Sequence, residues 1–260
     1  MPDLPLADRG LAVTRPVTQA KKLAALIRAQ GGKPILYPLL EVAALEDYSD
    51  FEQSIAQLSK CTWAIFISAN AVKFGVPRVL EHGAWPSGAR CAGIGPSTVA
   101  ALAGVGIDQV LIPVQHFDSE GLLALPEMHA VAGKRVMIFR GVGGRELIAE
   151  TLRTRGAEVT FAECYRRRNP QTSLGELAKA WQNGELHAII VTSSEALRNL
   201  LELASNETAE WVRAVPVFAN HPRIGTLAEQ HGFQVFVSSD PGDEAMLQCL
   251  LNQATSEQTS

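Results

Sequence analysis

What the chain lacks narrows its chemistry first. It has only four cysteines, Cys61, Cys91, Cys164 and Cys249, and no two of them form a Cys-x-x-Cys pair. A disulfide framework and a structural zinc site are therefore not expected, and a reducing compartment fits best. The six histidines are scattered without an HExxH spacing, so no metal is expected either. No GxxxxGK[ST] loop is present, which excludes a P-loop nucleotide site. Gly93-x-Gly95-x-x-Thr98 and Gly141-x-Gly143 are fragments of a dinucleotide fingerprint. Both lack the third glycine, and neither has a ribose-binding acid about 20 residues on. There is no GxSxG elbow, which argues against a hydrolase. No apolar run approaches the roughly 18 residues that a bilayer span needs. The opening MPDLPLADRG carries two acids and no apolar core, so it does not read as a signal peptide, and the cytoplasm is the expected location. Basic excess is also missing: 23 Lys and Arg stand against 27 Asp and Glu, a net charge of −4. That argues against a broad nucleic-acid surface but leaves room for a local basic pocket.

What is present is an ordinary soluble core. Of 260 residues, 47% are hydrophobic and 19% charged, enough for one large domain or two of common size. Strand and helix patterns alternate. Gly10–Thr14 reads as a buried strand, and a helical pattern from Thr18 puts Ala20, Leu23 and Ile27 on one face before Gly31-Gly32. Pro34–Leu45 is extended and apolar. Thr62–Ile67 is a strand, followed by a cap at Ser68-Ala-Asn70 and a helix expected to kink or break at Gly75 and Pro77. Arg90–Ile94 and Gln109–Pro113 are further strands. Gly95-Pro-Ser-Thr98 opens one helix, and Asp118–Gly121 caps another running toward Val131. Lys134–Arg140 starts the pattern again. Val159–Pro170 reads as a strand carrying Tyr165 and the run Arg166–Arg168, of which at most two can share a face. Cys164 is expected to be buried there rather than to act as a nucleophile. Residues 254–260 form a polar tail.

The restart is a duplication. VTRP (13–16) lies over IFRG (138–141) at an offset of 125, where Leu23 meets Ile148, Ile27 meets Leu152 and Gly31 meets Gly156. AIFISANAV (64–72) lies over AIIVTSSEA (188–196) at 124, and Val99–Ala103 over Ile224–Ala228 at 125. Such a period suits two similar α/β domains with parallel, doubly wound sheets. In these sheets ligands sit beyond the carboxyl ends of the strands, where helices begin. Those ends read Thr14-Arg15, Ser68-Ala-Asn70, Gly95-Pro-Ser-Thr98, Arg140-Gly141 and Thr192-Ser-Ser194. Hydroxyls, glycines and arginines at helix N-termini suit anions. The stretches Pro34–Leu45 and Val159–Pro170 are read as hinge strands, with the working site expected in a cleft between the domains.

Several stretches in this order resemble the uroporphyrinogen-III synthase family. They are VTRPVTQAKKLAALIRAQGG (13–32) with the PLLEV that follows, IFISANAV (65–72), GIGPSTVAAL (93–102), DSEGLL (118–123), and GKRVMIFRGVGGRELIAETLRTRGAEV with CYRR (133–167). The resemblance implies two flavodoxin-like parallel-sheet domains joined by a two-stranded β ladder. One would hold residues 1–36 plus 168–260 and the other 46–160, with hinge strands at 37–45 and 161–167. It implies cyclisation of hydroxymethylbilane, a linear tetrapyrrole, to uroporphyrinogen III, with inversion of ring D and loss of water, and with neither cofactor nor metal. It also implies a lyase that works as a monomer, with transient contact to the deaminase that produces the bilane and no nucleic-acid or membrane partner.

Tyr165 falls on the family's tyrosine that assists departure of the hydroxyl, and a phenol is a directional donor. Thr98 matches a family threonine after the glycine turn. Ser68, Asn70, Ser193 and Ser194 are caps that can also hold carboxylates. Arg15 and Arg140 occupy equivalent places in the duplication and either bind carboxylates or pair within the fold. Arg145, read as lying in a helix's first turn where the dipole disfavours a cation, is a further ligand candidate. One departure stands out. Where the family often has a Gly-Pro-Thr-Thr-like turn, this chain has Asn220-His-Pro-Arg-Ile224, so a role for hydroxyls at that turn is in doubt. The reading from another class is a non-catalytic two-domain binding or sensor protein for an anionic small molecule.

Overall fold

A computed structural model describes residues 4–258. They fold into two compact units, one of Met1–Glu41 with Arg168–Ser260 and the other of Val42–Arg167. The first unit is built on five strands: β1 (Gly10–Val13), β2 (Lys33–Leu36), β9 (Ala188–Val191), β10 (Val217–Ala219) and β11 (Val235–Val237). Their spatial order is β11-β10-β9-β1-β2, every pair parallel. Taken in the unit's own chain order this is 2-1-3-4-5, the flavodoxin-like order. β1 and β9 are buried along their whole length, which is why both read as unbroken apolar runs. Their neighbours alternate between faces. Ile189 and Val191 pack with helices α9 (Ser194–Asn206) and α10 (Pro222–Gln230). Ile190 packs on the other side with α1 (Val17–Ala29) and α11 (Asp243–Gln258).

The second unit carries β3 (Glu41–Ala43), β4 (Trp63–Phe66), β5 (Arg90–Gly93), β6 (Val110–Leu111), β7 (Arg135–Gly141) and β8 (Glu158–Arg168). Its sheet runs β3-β8-β7-β4-β5-β6. If β7 is counted first and β8 second, the order is again 2-1-3-4-5, with β3 added on the β8 edge. The two units are thus the same sheet started at different strands. Gly31 and Gly156, with φ of 83° and 86°, close the helices that follow β1 and β7, α1 and α7 (Leu147–Thr154), in the same left-handed turn.

The duplication is tighter than the sequence offsets suggested. The structure equates Ser68 with Ser193, each an N-cap accepting from the backbone N–H three residues on, at Ala71 and Ala196. That block therefore sits at 125, not 124. The caps of the next helix, Gly95 and His221, are 126 apart.

Local expectations changed in four places. Pro34–Leu45 is not one strand: it forms β2 and β3, in different sheets, with Tyr37–Leu40 between them. Helix α3 (Ala69–Glu81) runs through Gly75 and Pro77 unbroken. Its buried face, Ala71, Val72, Gly75, Val76 and Val79, offsets the single backbone bond that Pro77 cannot make. Gly75 is required for another reason: a Cβ there would stand 2.9 Å from the Phe139 ring and 3.2 Å from Cys164 Sγ. The helix expected from Asp118 to Val131 is divided into α5 (Ser119–Leu123) and α6 (Pro126–His129), because Pro126 pushes Leu125 out of helical geometry (ψ 140°). Helix α7 begins only at Leu147, since Gly143 and Gly144 take φ of 70° and 100°. Among the described residues, no helix is long and apolar enough to cross a membrane.

Two predictions follow from packing. A Cβ at Gly10 would lie 1.8 Å from the Glu185 carbonyl oxygen, a backbone atom that cannot swing away. Gly10→Ala should cost about 3 kcal/mol or more in chemical denaturation; a loss below about 0.5 kcal/mol would show that β1 has slack. Tyr37 is buried and donates to the Ser173 carbonyl, and burial pushes its phenol up to about 12. The neutral form is favoured in the fold, so this contribution is intact below about pH 10 and is lost as pH rises through about 12. Between pH 9 and 12 the wild type should lose stability more steeply than Tyr37→Phe; parallel curves would contradict it.

Candidate functional site

The carboxyl ends of both sheets are lined by capped helix starts. Ser68 Oγ accepts from Ala71 N at 3.1 Å, Ser193 Oγ from Ala196 N at 3.0 Å, and Asp118 Oδ1 from Gly121 N at 2.7 Å. At α10 an imidazole stands where the other unit has the Gly95 cap, and Arg223 and Ile224 take the places of the expected hydroxyls: His221 Nδ1 accepts from Arg223 N at 3.1 Å. Helix α4 (Pro96–Ala103) has Gly95 at its cap and Pro96 in the first turn. Each cap leaves other N–H groups of its first turn unbonded within the helix, a setting that favours anions.

Tyr165 sits at this end of the second unit, and a bulge puts it there. Along the β7–β8 ladder Arg140 faces Glu163, but Gly141 faces Tyr165. Cys164 is thus one extra residue in β8. Strand alternation would send Cys164 and Tyr165 to opposite faces; the bulge lets both be buried, at 0% and 2% exposure, in the same cluster. The Tyr165 ring lies 5.9 Å from Phe74, and its edge covers Gly141, where a Cβ would fall 2.5 Å from it. Its hydroxyl is 3.1 Å from Ser68 Oγ. Cys164 Sγ contacts the carbonyls of Ala71 and Arg140, and burial pushes the thiol up to about 12. It is inert at neutral pH, as the sequence suggested.

The arginines divide. Arg15 donates to Thr192 Oγ1 at 3.2 Å and pairs with Asp243 in the first turn of α11. Arg140 is 2% exposed; its guanidinium stacks 4.5 Å from the Phe161 ring centroid, donates to the Gly141 and Gly143 carbonyls and faces Glu163 at 3.8 Å. Both are committed to internal partners. Arg145 is not in a first turn: it precedes α7 in the exposed loop that Gly143 and Gly144 open, so the dipole argument for it lapses while its exposure suits an anion. Arg166 pairs with Glu46, and Arg168 with Glu41 at 2.5 Å, so both ion pairs join β8 to the β3 segment. Thr98 is 2% exposed inside α4. Asn70 and Ser194 are partly exposed in the first turns of α3 and α9.

The motif-based reading missed apolar surface at the rim. Phe117, 51% exposed, packs beside Gly95, and Val142, 54% exposed, follows Gly141. Single exposed apolar residues in loops leave no periodic signal, so only the fold brings them beside the caps.

Two flavodoxin-like units, one permuted relative to the other, with capped helix starts at the strand ends and a buried tyrosine at those of the second, define a class of duplicated α/β proteins. Residues 21–248 match the family described as Uroporphyrinogen-III synthase HemD. The chain is 33% identical over 243 residues to the uroporphyrinogen-III synthase of Salmonella typhimurium and 34% identical to that of Escherichia coli, covering 92% of this chain and 99% of each relative. The crystal structure of a mutant uroporphyrinogen III synthase from Thermus thermophilus shares the fold, with a TM-score of 0.63 at 16% identity over 96% of this chain and 99% of that one. The Helicobacter pylori uroporphyrinogen-III synthetase gives 0.60 at 15% identity, over 94% and 99%. The chain belongs to the uroporphyrinogen-III synthase family, enzymes of porphyrin and heme biosynthesis.

The cysteines provide a test. In native protein at pH 8, iodoacetamide should leave Cys164 unmodified while the half-buried Cys249 reacts first, read by peptide mass spectrometry. Equal rates would mean that the bulge opens readily.

Proposed function

We propose that this protein is a lyase that closes hydroxymethylbilane to uroporphyrinogen III, acting in the cytoplasm as a monomer and receiving its substrate in transient contact with the deaminase that makes it. The observation that carries the site assignment is the Tyr165 hydroxyl, locked by Gly141, Phe74 and Ser68 at the carboxyl end of its sheet. Loss of the terminal hydroxyl breaks a C–O bond whose electron pair leaves on oxygen. A proton from Tyr165 turns that oxygen into water, and the pyrrole nitrogen supplies electrons to the cation left behind. The substituted carbon of ring D attacks, the spiro intermediate reopens, and ring closure releases a proton from a pyrrole carbon, which restores the phenol. No net proton or electron is required. A phenol is a directional donor, so placement is what makes Tyr165 useful. The ring is almost wholly packed, so the substrate must reach the hydroxyl from the rim beside Ser68 and Gly141.

Eight carboxylates on four flat rings need anion sites and apolar surface together. In the second unit the helix starts at Ser68-Asn70 and Thr98 offer the first, with Arg145 as the exposed cation, and Phe117 and Val142 offer the second; the first unit has an anion-suited helix start of its own at Ser193-Ser194. Arg15 and Arg140 act here as struts that hold the rim rather than as direct ligands. The main task is conformational, because the bilane closes unaided to the isomer with ring D not inverted.

Bilane generated in situ, incubated with the protein and no cofactor, then oxidised and separated by chromatography, should give predominantly uroporphyrin III at catalytic protein levels. Only isomer I at the spontaneous rate would overturn the lyase reading and favour a binding protein. Arg145→Ala should raise KM severalfold with kcat nearly unchanged; a selective fall in kcat would place Arg145 in the chemistry instead.

A further inference from the structure

Ser68 has more to do than cap a helix. We infer that it is the positioning residue that aims the Tyr165 proton, an inference that rests on the proposed role of Tyr165. A serine hydroxyl has one proton and two lone pairs. One lone pair is engaged by the Ala71 N–H at 3.1 Å, which fixes the rotamer of Ser68 and the direction of its remaining proton and lone pair. The Tyr165 hydroxyl stands 3.1 Å away. Two arrangements satisfy that contact. If Tyr165 donates to Ser68, its proton is spent inside the protein. If Ser68 donates to the Tyr165 oxygen, the phenolic proton is left for an outside acceptor. A substrate hydroxyl at the rim selects the second arrangement, because a chain from Ser68 to Tyr165 to the leaving oxygen gains a bond that the first cannot make, and each link strengthens the next.

The same bond matters after transfer. When the Tyr165 proton passes to the departing oxygen, the phenolate remains in a buried setting where an unpaired charge is costly. The Ser68 O–H then becomes a charge-assisted donor to it, stronger in the transition state than in the ground state. The cluster around the ring leaves no freedom for a substitute geometry. Gly141 presses on its edge, Phe74 on its face, and the Cys164 bulge sets its height along β8. The equivalent serine of the other unit, Ser193, makes the same cap, but the tyrosine that follows the equivalent strand β2, Tyr37, donates to the Ser173 carbonyl instead. The duplication therefore separates the two duties: the cap is common to both units, and the hydroxyl's second bond is found in one.

Ser68→Gly isolates the second duty. Glycine is nearly as good an N-cap as serine and fits the extended φ of −167°, so the unfolding midpoint should stay close to wild type. Isomer III turnover should fall about tenfold or more in kcat, with KM within about threefold, and Ser68→Thr should restore most of the loss. In a Tyr165→Phe background, where the phenolic proton is gone, Ser68→Gly should change kcat less than about twofold. A wild-type kcat for Ser68→Gly would reduce Ser68 to a cap and overturn the inference. A raised KM with kcat intact would make it a carboxylate ligand and overturn it too. An equal fall in both backgrounds would show that Ser68 acts without Tyr165. If Tyr165→Phe itself keeps full turnover, the role given to Tyr165 fails first, and the inference falls with it for a different reason.

Discussion

One extra residue decides which way Tyr165 faces in the second unit. Cys164 widens β8 opposite Arg140 and Gly141, and the pleat beyond it is re-phased. Without that step Tyr165 would face the opposite side of its sheet, away from Ser68. The bulge is held on every side: the thiol packs against Ala71 and Arg140, Gly75 allows α3 to approach it, and Gly141 admits the ring. These small residues tolerate no added methyl group without displacing something buried. Arg140 belongs to the same assembly. Its guanidinium ties the loop after Gly141 to the Phe161 and Glu163 side of β8, so a buried charge is held by stacking, carbonyls and one carboxylate.

The duplication explains why the rims of the two units look alike and why they differ. Ser68 and Ser193 cap α3 and α9, and Gly31 and Gly156 close α1 and α7, because the ancestral turn needs an acceptor at one place and a left-handed residue at another. Beyond the added β3 and the β8 bulge, much of the divergence lies at loops and caps. Gly143 and Gly144 delete the first turn that α1 keeps, and His221 caps α10 with a ring nitrogen where α4 has a glycine. The fold survives because any acceptor of suitable reach can serve a cap.

Much of this was legible in the sequence. The buried strands read as apolar runs, the caps as Ser or Asp before helical periodicity, and the restart at Lys134 as a repeat. Tyr165 was reached by family resemblance, not by any local pattern. The continuity of α3 was hidden because Gly75 and Pro77 signal a break on their own, while the packing that overrides them comes from Phe139 and Cys164, more than 60 positions on. The bulge was invisible for a related reason: period-2 patterning presumes an unbroken ladder. The commitment of Arg15 to Asp243 depends on a partner 228 positions away, and no motif connects them.

The permuted order of the second sheet bears on how the chain is made. That unit, Val42–Arg167, is one contiguous stretch, so it can close as soon as β8 has left the ribosome. The first unit cannot. Its interior strand β1 lies between β2 and β9, and β9 is synthesised about 175 positions after β1. Until then β1 exposes an unpaired apolar edge on a nascent chain, so the first strand made waits longest for its second partner.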